Sequence, residues 1–291
     1  MRAAPPQFSD TDLVAAFPEM QIVLPELGCG SFKAAYRVVT AAGDAVLKVV
    51  KEPASLPQNP GEDALPPRLD REIAAMQRVN SRRVVKVLGG PDIRKIGGAP
   101  YVWYLEPFYG GGTLEARAGQ RLSERDGLLL ADALLEGVDD LWRQARLVHR
   151  DIKPGNVVFG PDGPVLLDLG IALHVDLTPL TNAFAFSPRT NRYAAPEQFE
   201  VRLSAPIDSR TDQFLVGIVV FEAVVGSHPF GPDDPSGYLN RLMQGQLDDA
   251  ALQTLASVPM QLVLRRLLRA KPHERYRTAA QARRAIQGCL P

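Results

Sequence analysis

Two hydrophobic periods divide the chain. Between residues 21 and 50 the apolar positions come in short runs, QIVLPELGCG, AAYRVVT and DAVLKVV, separated by glycine-containing turns. Ala41-Ala42-Gly43-Asp44 is the clearest hairpin connection, so this stretch predicts the start of an antiparallel sheet. Before it, SDTDLVAAF at 9–17 predicts a short helix capped by Ser9 or Asp10. EPASLPQNPGEDALPP at 52–67 carries five prolines and reads as an exposed loop. RLDREIAAMQRV then places Leu69, Ile73 and Met76 at helical spacing, and VVKVLGG and PYVWYLEPF return to strand character.

The run Gly110-Gly111-Gly112 ends that pattern and marks the expected boundary between two lobes. Beyond it the chain turns mainly helical. LSERDGLLLADALLEGVDDLWRQA has Ser123 as cap and a long apolar stripe. Short strands are expected around two turns at 147–168, and helices near 196, 211–225, 238–245, 259–269 and 278–288. QFLVGIVVFEAVVG, from Gln213 to Gly226, is too short for a membrane span of about 20 apolar residues and contains Glu222, so it reads as a buried core helix. A sheet-rich front and a helical back predict an α+β protein.

Composition narrows the function classes. Hydrophobic residues make up 45% and charged residues 23% of the 291, close to the globular average, so the chain can bury a core. Its 33 basic and 33 acidic residues cancel, leaving no global field to draw nucleic acid or an anionic membrane; neither is expected as a partner. Cys29 and Cys289 lie far apart without metal-ligand spacing, which favours a reducing, cytoplasmic setting over a disulfide framework. MRAAPPQFSD has no apolar core of the kind a secretory signal needs.

The chemistry concentrates in LVHRDIKPGNVVF, 147–159, and VLLDLG, 165–170. Asp151, Asn156 and Asp168 stand between apolar runs that would hold them on a rigid frame. Alone, each is an ordinary turn residue. Together they offer oxygen ligands suited to magnesium, which commonly bridges carboxylates and substrate phosphates.

HRDIKPGN, His149 to Asn156, resembles the catalytic loop of the eukaryotic-like serine/threonine protein kinase family, and Asp168-Leu169-Gly170 stands in place of that family's usual DFG. The resemblance covers nearly the whole chain. It implies a two-lobed protein-kinase-like fold: residues 1–20 as an N-terminal extension, 21–107 as an N-lobe with a small antiparallel sheet and one main helix, and 108–291 as a larger, mainly helical C-lobe. It further implies that Asp151 accepts or orients the substrate hydroxyl proton, with Asn156 and Asp168 holding Mg2+ against the phosphates of ATP. AVLK, ending at Lys48, resembles the strand that supplies the phosphate-binding lysine, and Glu72 is its implied partner.

LGCGSFKAAY, from Leu27, resembles the loop that covers the phosphates. Leu27, Gly28 and Gly30 would contact nucleotide, but Lys33 occupies the position where a third glycine is usual. Ala35 and Val46 match positions flanking adenine, and Leu105, Glu106, Pro107 and Phe108 match the hinge, where backbone groups would bond the base. YAAPE at 193–197 resembles the APE anchor, with Arg275 as partner of Glu197; Asp212 resembles the acid that supports the catalytic loop. Lys153 and Thr190 match residues that mark serine/threonine acceptors, so a protein substrate with such hydroxyls is implied. Arg150 implies ordering of the activation segment by phosphorylation, with Thr181 or Ser187 as sites. Three rivals remain: a pseudokinase scaffold, which Lys33 supports; a small-molecule phosphotransferase, which shares the Asp-to-Asn loop; and an interaction module built on the proline-rich 52–67 loop.

Overall fold

The computed structural model describes residues 8–29, 33–54, 67–169, 173–174, 190–199, 207–232 and 237–290. The chain divides into two compact units, one made of Met1–Gln77 and Val85–Phe108, the other of Arg78–Val84 and Tyr109–Pro291.

The first unit is built on a five-stranded antiparallel sheet. Helix α1 (Asp10–Ala16) precedes β1 (Gln21–Cys29), β2 (Lys33–Thr40) and β3 (Gly43–Pro53); α2 (Pro67–Arg78), β4 (Gly89–Ile96) and β5 (Ala99–Pro107) follow, in the sheet order β1-β2-β3-β5-β4. The Ser9 hydroxyl accepts the Asp12 N–H at 3.1 Å and so caps α1. The β2–β3 hairpin closes at Thr40 and Gly43, whose φ of +112° is the reason glycine stands there. One face of the sheet presents Val38, Leu47, Val49, Tyr101 and Trp103 to a core completed by Leu13, Phe17 and Met20. The N-terminal extension therefore forms part of this core from Phe8 onward.

One strand lies elsewhere than the apolar pattern predicts. VVKVLGG supplies only an isolated bridge at Val84, to Leu166 within the second unit, while β4 runs through Gly89, Gly90 and Pro91. An edge position tolerates proline, because half its backbone donors need no strand partner. Gly90 lies so near β5 that a Cβ there would sit 2.9 Å from the Trp103 carbonyl oxygen. These residues therefore bend and close an edge strand where turn rules expect a loop.

The second unit is mainly helical. It contains α3 (Glu124–Ala145), β6 (Leu147–Val148), β7 (Val157–Gly160), β8 (Gly163–Leu166), β9 (Leu173–His174), α4 (Pro196–Phe199), α5 (Ser209–Val225), α6 (Tyr238–Gln244), α7 (Asp249–Leu252), α8 (Val258–Leu267) and α9 (Ala279–Gln287). Ser123 caps α3 through the Asp126 N–H. Helix α5 is apolar nearly all round and buried along almost its whole length, as expected for a helix at the centre of a core. Gly217 lets it approach closely: a Cβ there would meet Leu268 at 3.0 Å. Short α7 carries no sequence periodicity of its own. Among the described residues no helix is long and apolar enough to cross a membrane.

Candidate active site

Strand parity sorts the residues of the first unit. Antiparallel register sets Ala35 opposite Lys48, Val46 opposite Glu106, and Lys48 opposite Tyr104. Directly opposed residues share a face, and so do residues two apart on one strand. Ala35, Val46, Lys48 and Glu106 thus gather on one face, opposite the core that holds Leu47 and Val49. The Glu106 carboxylate is buried, and its Oε2 lies 3.6 Å from Lys48 Nζ. Leu105 points the other way, into the core, and its carbonyl accepts the Leu88 N–H at 2.8 Å.

Lys33 opens β2 and holds its ammonium 5.6 Å from the Tyr104 ring centroid. Leu27 is exposed, and among the described residues a Cβ at Gly28 would meet nothing within 4 Å. Phe108 follows β5 and stacks under the Arg37 guanidinium at 4.6 Å. Gly30 lies outside the described residues. Glu72 falls on α2, with its side chain outside them too.

In the second unit the catalytic-loop residues are fixed by buried polar groups. Asp212, fully buried near the start of α5, accepts the N–H groups of His149 and Arg150, each at 2.8 Å. That grip holds Arg150 at φ +69°, a region that a non-glycine residue occupies at a cost of about 1–3 kcal/mol. The Gln198 amide adds a bond to the Arg150 carbonyl, and His149 Nδ1 accepts the Asp151 N–H. Burial pushes the Asp212 carboxyl up to about 6, although His149 and the two N–H bonds pull it down.

On this support Asp151 is oriented from two sides. Lys153 Nζ donates to both carboxylate oxygens, at 2.9 and 2.7 Å, and Asn156 Nδ2 donates to the Asp151 carbonyl and to Oδ2 at 2.8 and 2.9 Å. Asn156 thus spends its amide N–H groups on Asp151, so that Oδ1 is the atom its side chain has to offer a cation. The Asn156 carbonyl accepts the Leu167 N–H, tying the loop to the strand that delivers Asp168. Asp168 has φ +60°, and Leu169 beside it is buried, keeping the apolar anchor. Among the described residues no three His, Cys, Asp or Glu side chains are grouped to hold a metal by themselves. Asn156 and Asp168 fit a magnesium ion that takes the rest of its ligands from substrate phosphates and water.

Glu197 and Arg275 form a buried fork with N···O distances of 2.6 and 2.9 Å. Tyr193, ahead of Glu197, donates to Glu222 on α5. Burial and the Glu222 carboxylate raise the phenol far above its usual range, so it stays a donor. Thr190 begins the turn 190–193, with its side chain outside the described residues, and Thr181 and Ser187 lie outside them altogether.

These motifs and this architecture define a class. A model of the protein kinase domain matches residues 22–285, and the chain belongs to the protein kinase family. It is 28% identical over 223 residues to the probable serine/threonine-protein kinase PkwA of Thermomonospora curvata, covering 76% of this chain and 28% of that protein. It is 31% identical over 198 residues to human serine/threonine-protein kinase 16, covering 63% and 64%. With PknF of Mycobacterium tuberculosis it shares 30% identity over 152 residues, covering 50% and 31%. All three of these relatives are described as serine/threonine kinases. The chain spans from 28% to 64% of the length of these relatives. A crystal structure of Rad53 in complex with AMP-PNP matches the fold with a TM-score of 0.69 at 20% identity, covering 92% of this chain and 64% of that one.

Proposed function

We propose that this chain is an ATP-dependent serine/threonine protein kinase, transferring the γ-phosphoryl group of Mg-ATP to hydroxyls of a protein substrate. The observation that carries the reading is the Asp151 carboxylate, held by Lys153 and Asn156 on a loop suspended from Asp212. Phosphoryl transfer through a loose transition state needs little covalent help; it needs positioning and charge neutralisation.

Asp151 accepts the proton of the incoming hydroxyl and orients its oxygen. Lys153, already bonded to that carboxylate, places a positive charge beside the attacking oxygen and the transferred group. Lys48 neutralises phosphate oxygens from the sheet, and Leu27, Gly28, Gly30, Ala35 and Val46 line the nucleotide, with backbone groups of Glu106 and Phe108 beside the base; Leu105, turned into the core, does not take part. Asn156 and Asp168 hold the magnesium, which when bound screens the negative charge of the phosphates. The substrate is a protein in a cytoplasmic setting, as the kinase relatives and the two widely separated cysteines support. Thr181 or Ser187 is an autophosphorylation site; phosphosite mapping that finds both unmodified in fully active protein would count against this.

Incubation with γ-labelled ATP, magnesium and a generic basic protein tests the reading. Label on serine or threonine of the added protein supports it. Label confined to tyrosine or to small metabolites, or equal labelling by Lys48→Met protein, contradicts it.

A further inference from the structure

The Glu106 side chain has a position that a backbone-only hinge contact does not explain. It shares a sheet face with Lys48, one diagonal step away across the β3–β5 ladder, and both side chains are largely buried, with exposures of 3% and 12%. Diagonal neighbours on one face are within reach of long side chains. A charged pair taken out of water is costly unless each member compensates the other, so neither residue is a neutral choice at the middle of a sheet.

We propose that Glu106 is a positioning residue for Lys48, setting its ammonium from within the sheet. The inference rests on the reading of Lys48 as a phosphate ligand. Both residues belong to paired strands of one ladder, so their relative placement is fixed by β3 and β5 and does not depend on α2. The 3.6 Å separation is longer than a hydrogen bond of about 2.7–3.2 Å. It attracts the ammonium without consuming one of its N–H groups as a short bond would, and those donors are what phosphate oxygens require. A carboxylate in this place also explains the acidic interruption of an otherwise apolar strand, PYVWYLEP.

The test compares Glu106→Gln and Glu106→Asp in the wild-type and Lys48→Met backgrounds, with melting temperatures as the check on folding. Rates are read with Mg-ATP and a basic protein, under single turnover where they are slow. Glu106→Gln is expected to lower kcat about tenfold or more and to change KM for ATP by less than about threefold, the signature of an interaction made in the transition state. Glu106→Asp recovers part of the loss. In the Lys48→Met background Glu106→Gln is expected to change the remaining rate by less than about twofold, because coupled residues lose their effect once the partner is gone.

A kcat within about twofold of wild type for Glu106→Gln, or an equal fractional loss in both backgrounds, overturns the proposal. If Glu106→Gln fails to fold, a Glu106→Asp protein with wild-type kcat overturns it instead. Lys48→Met protein as active as wild type defeats the phosphate-ligand reading itself. Inactive Lys48→Met beside an unaffected Glu106→Gln defeats this inference alone.

Discussion

Arg275 uses all five of its N–H donors inside the second unit, and Glu197 takes two of them. Its remaining bonds run to the carbonyls of Arg269, Arg210 and Ala270, while Thr211 donates to Glu197 and the Phe214 ring lies 4.6 Å from the guanidinium. The fork therefore joins the segment after the catalytic loop to α5 and to the chain leading into α9. Removing one member of such a buried pair strands the other. Arg275→Met is expected to lower unfolding free energy by about 3–5 kcal/mol in urea titration. Adding Glu197→Gln to that variant should recover part of the loss, since the stranded carboxylate is then gone.

Acid should destabilise the protein through His228. Its Nε2–H donates to the Arg192 carbonyl and its ring is enclosed by Tyr193, Phe230 and Tyr238. Burial pushes the imidazole down to about 3, with the nearby Arg192 charge adding to it and the carbonyl bond opposing. A depressed folded-state value means that the stability this group contributes is complete above about 6.5 and is lost as pH falls toward 3. Asp212 has the opposite sign: its contribution is complete below about 3.8 and is lost as pH rises through about 6. In denaturant titrations from pH 7 to 4 the stability of wild type relative to His228→Gln should decline as pH falls below about 6.5, whatever the Asp212 contribution common to both proteins. An equal slope in the two proteins would contradict the assignment.

The N-terminal extension should behave as core. Phe17 is fully buried, meets Trp103 edge-to-face at 5.4 Å and carries the Arg94 guanidinium at 5.0 Å. Phe17→Ala is expected to destabilise the protein by about 3–5 kcal/mol, as large-to-small changes at such sites do. Denaturant midpoints measure this, and a loss below about 1 kcal/mol would show that the extension is dispensable.

The three glycines at 110–112 should not be equivalent. Among the described residues a Cβ at Gly110 meets nothing within 4 Å, whereas one at Gly111 would lie 2.3 Å from the Phe159 carbonyl oxygen. Gly111→Ala is expected to cost about 1–3 kcal/mol by overpacking, against near-neutrality for Gly110→Ala. Thermal melts of the two variants side by side check the contrast.

Sequence pattern exposed the elements that carry their own end signals. Ser9 and Ser123 each cap the helix they announce, and Leu69, Ile73 and Met76 are all buried on α2. Strand β4 was hidden because Gly89, Gly90 and Pro91 serve tertiary contact with β5, which no local rule weighs. The grouping of Asp151, Lys153 and Asn156 was readable because the three lie within six positions and interact locally. The Lys48–Glu106 pair was not, because it depends on register between strands more than fifty residues apart; counting face parity outward from Lys48 would have flagged the lone acid in an apolar strand.

The central claim rests on Asp151 as the residue that receives the hydroxyl proton, and Asp151→Asn addresses it directly. Asparagine keeps the shape of the side chain and one acceptor oxygen but lacks a carboxylate's basicity. With wild-type melting temperature confirmed, the variant's kcat for γ-phosphoryl transfer to a serine or threonine protein substrate is expected to fall about 100-fold or more, the range a general base contributes. A folded Asp151→Asn protein that transfers phosphate at the wild-type rate would contradict the account.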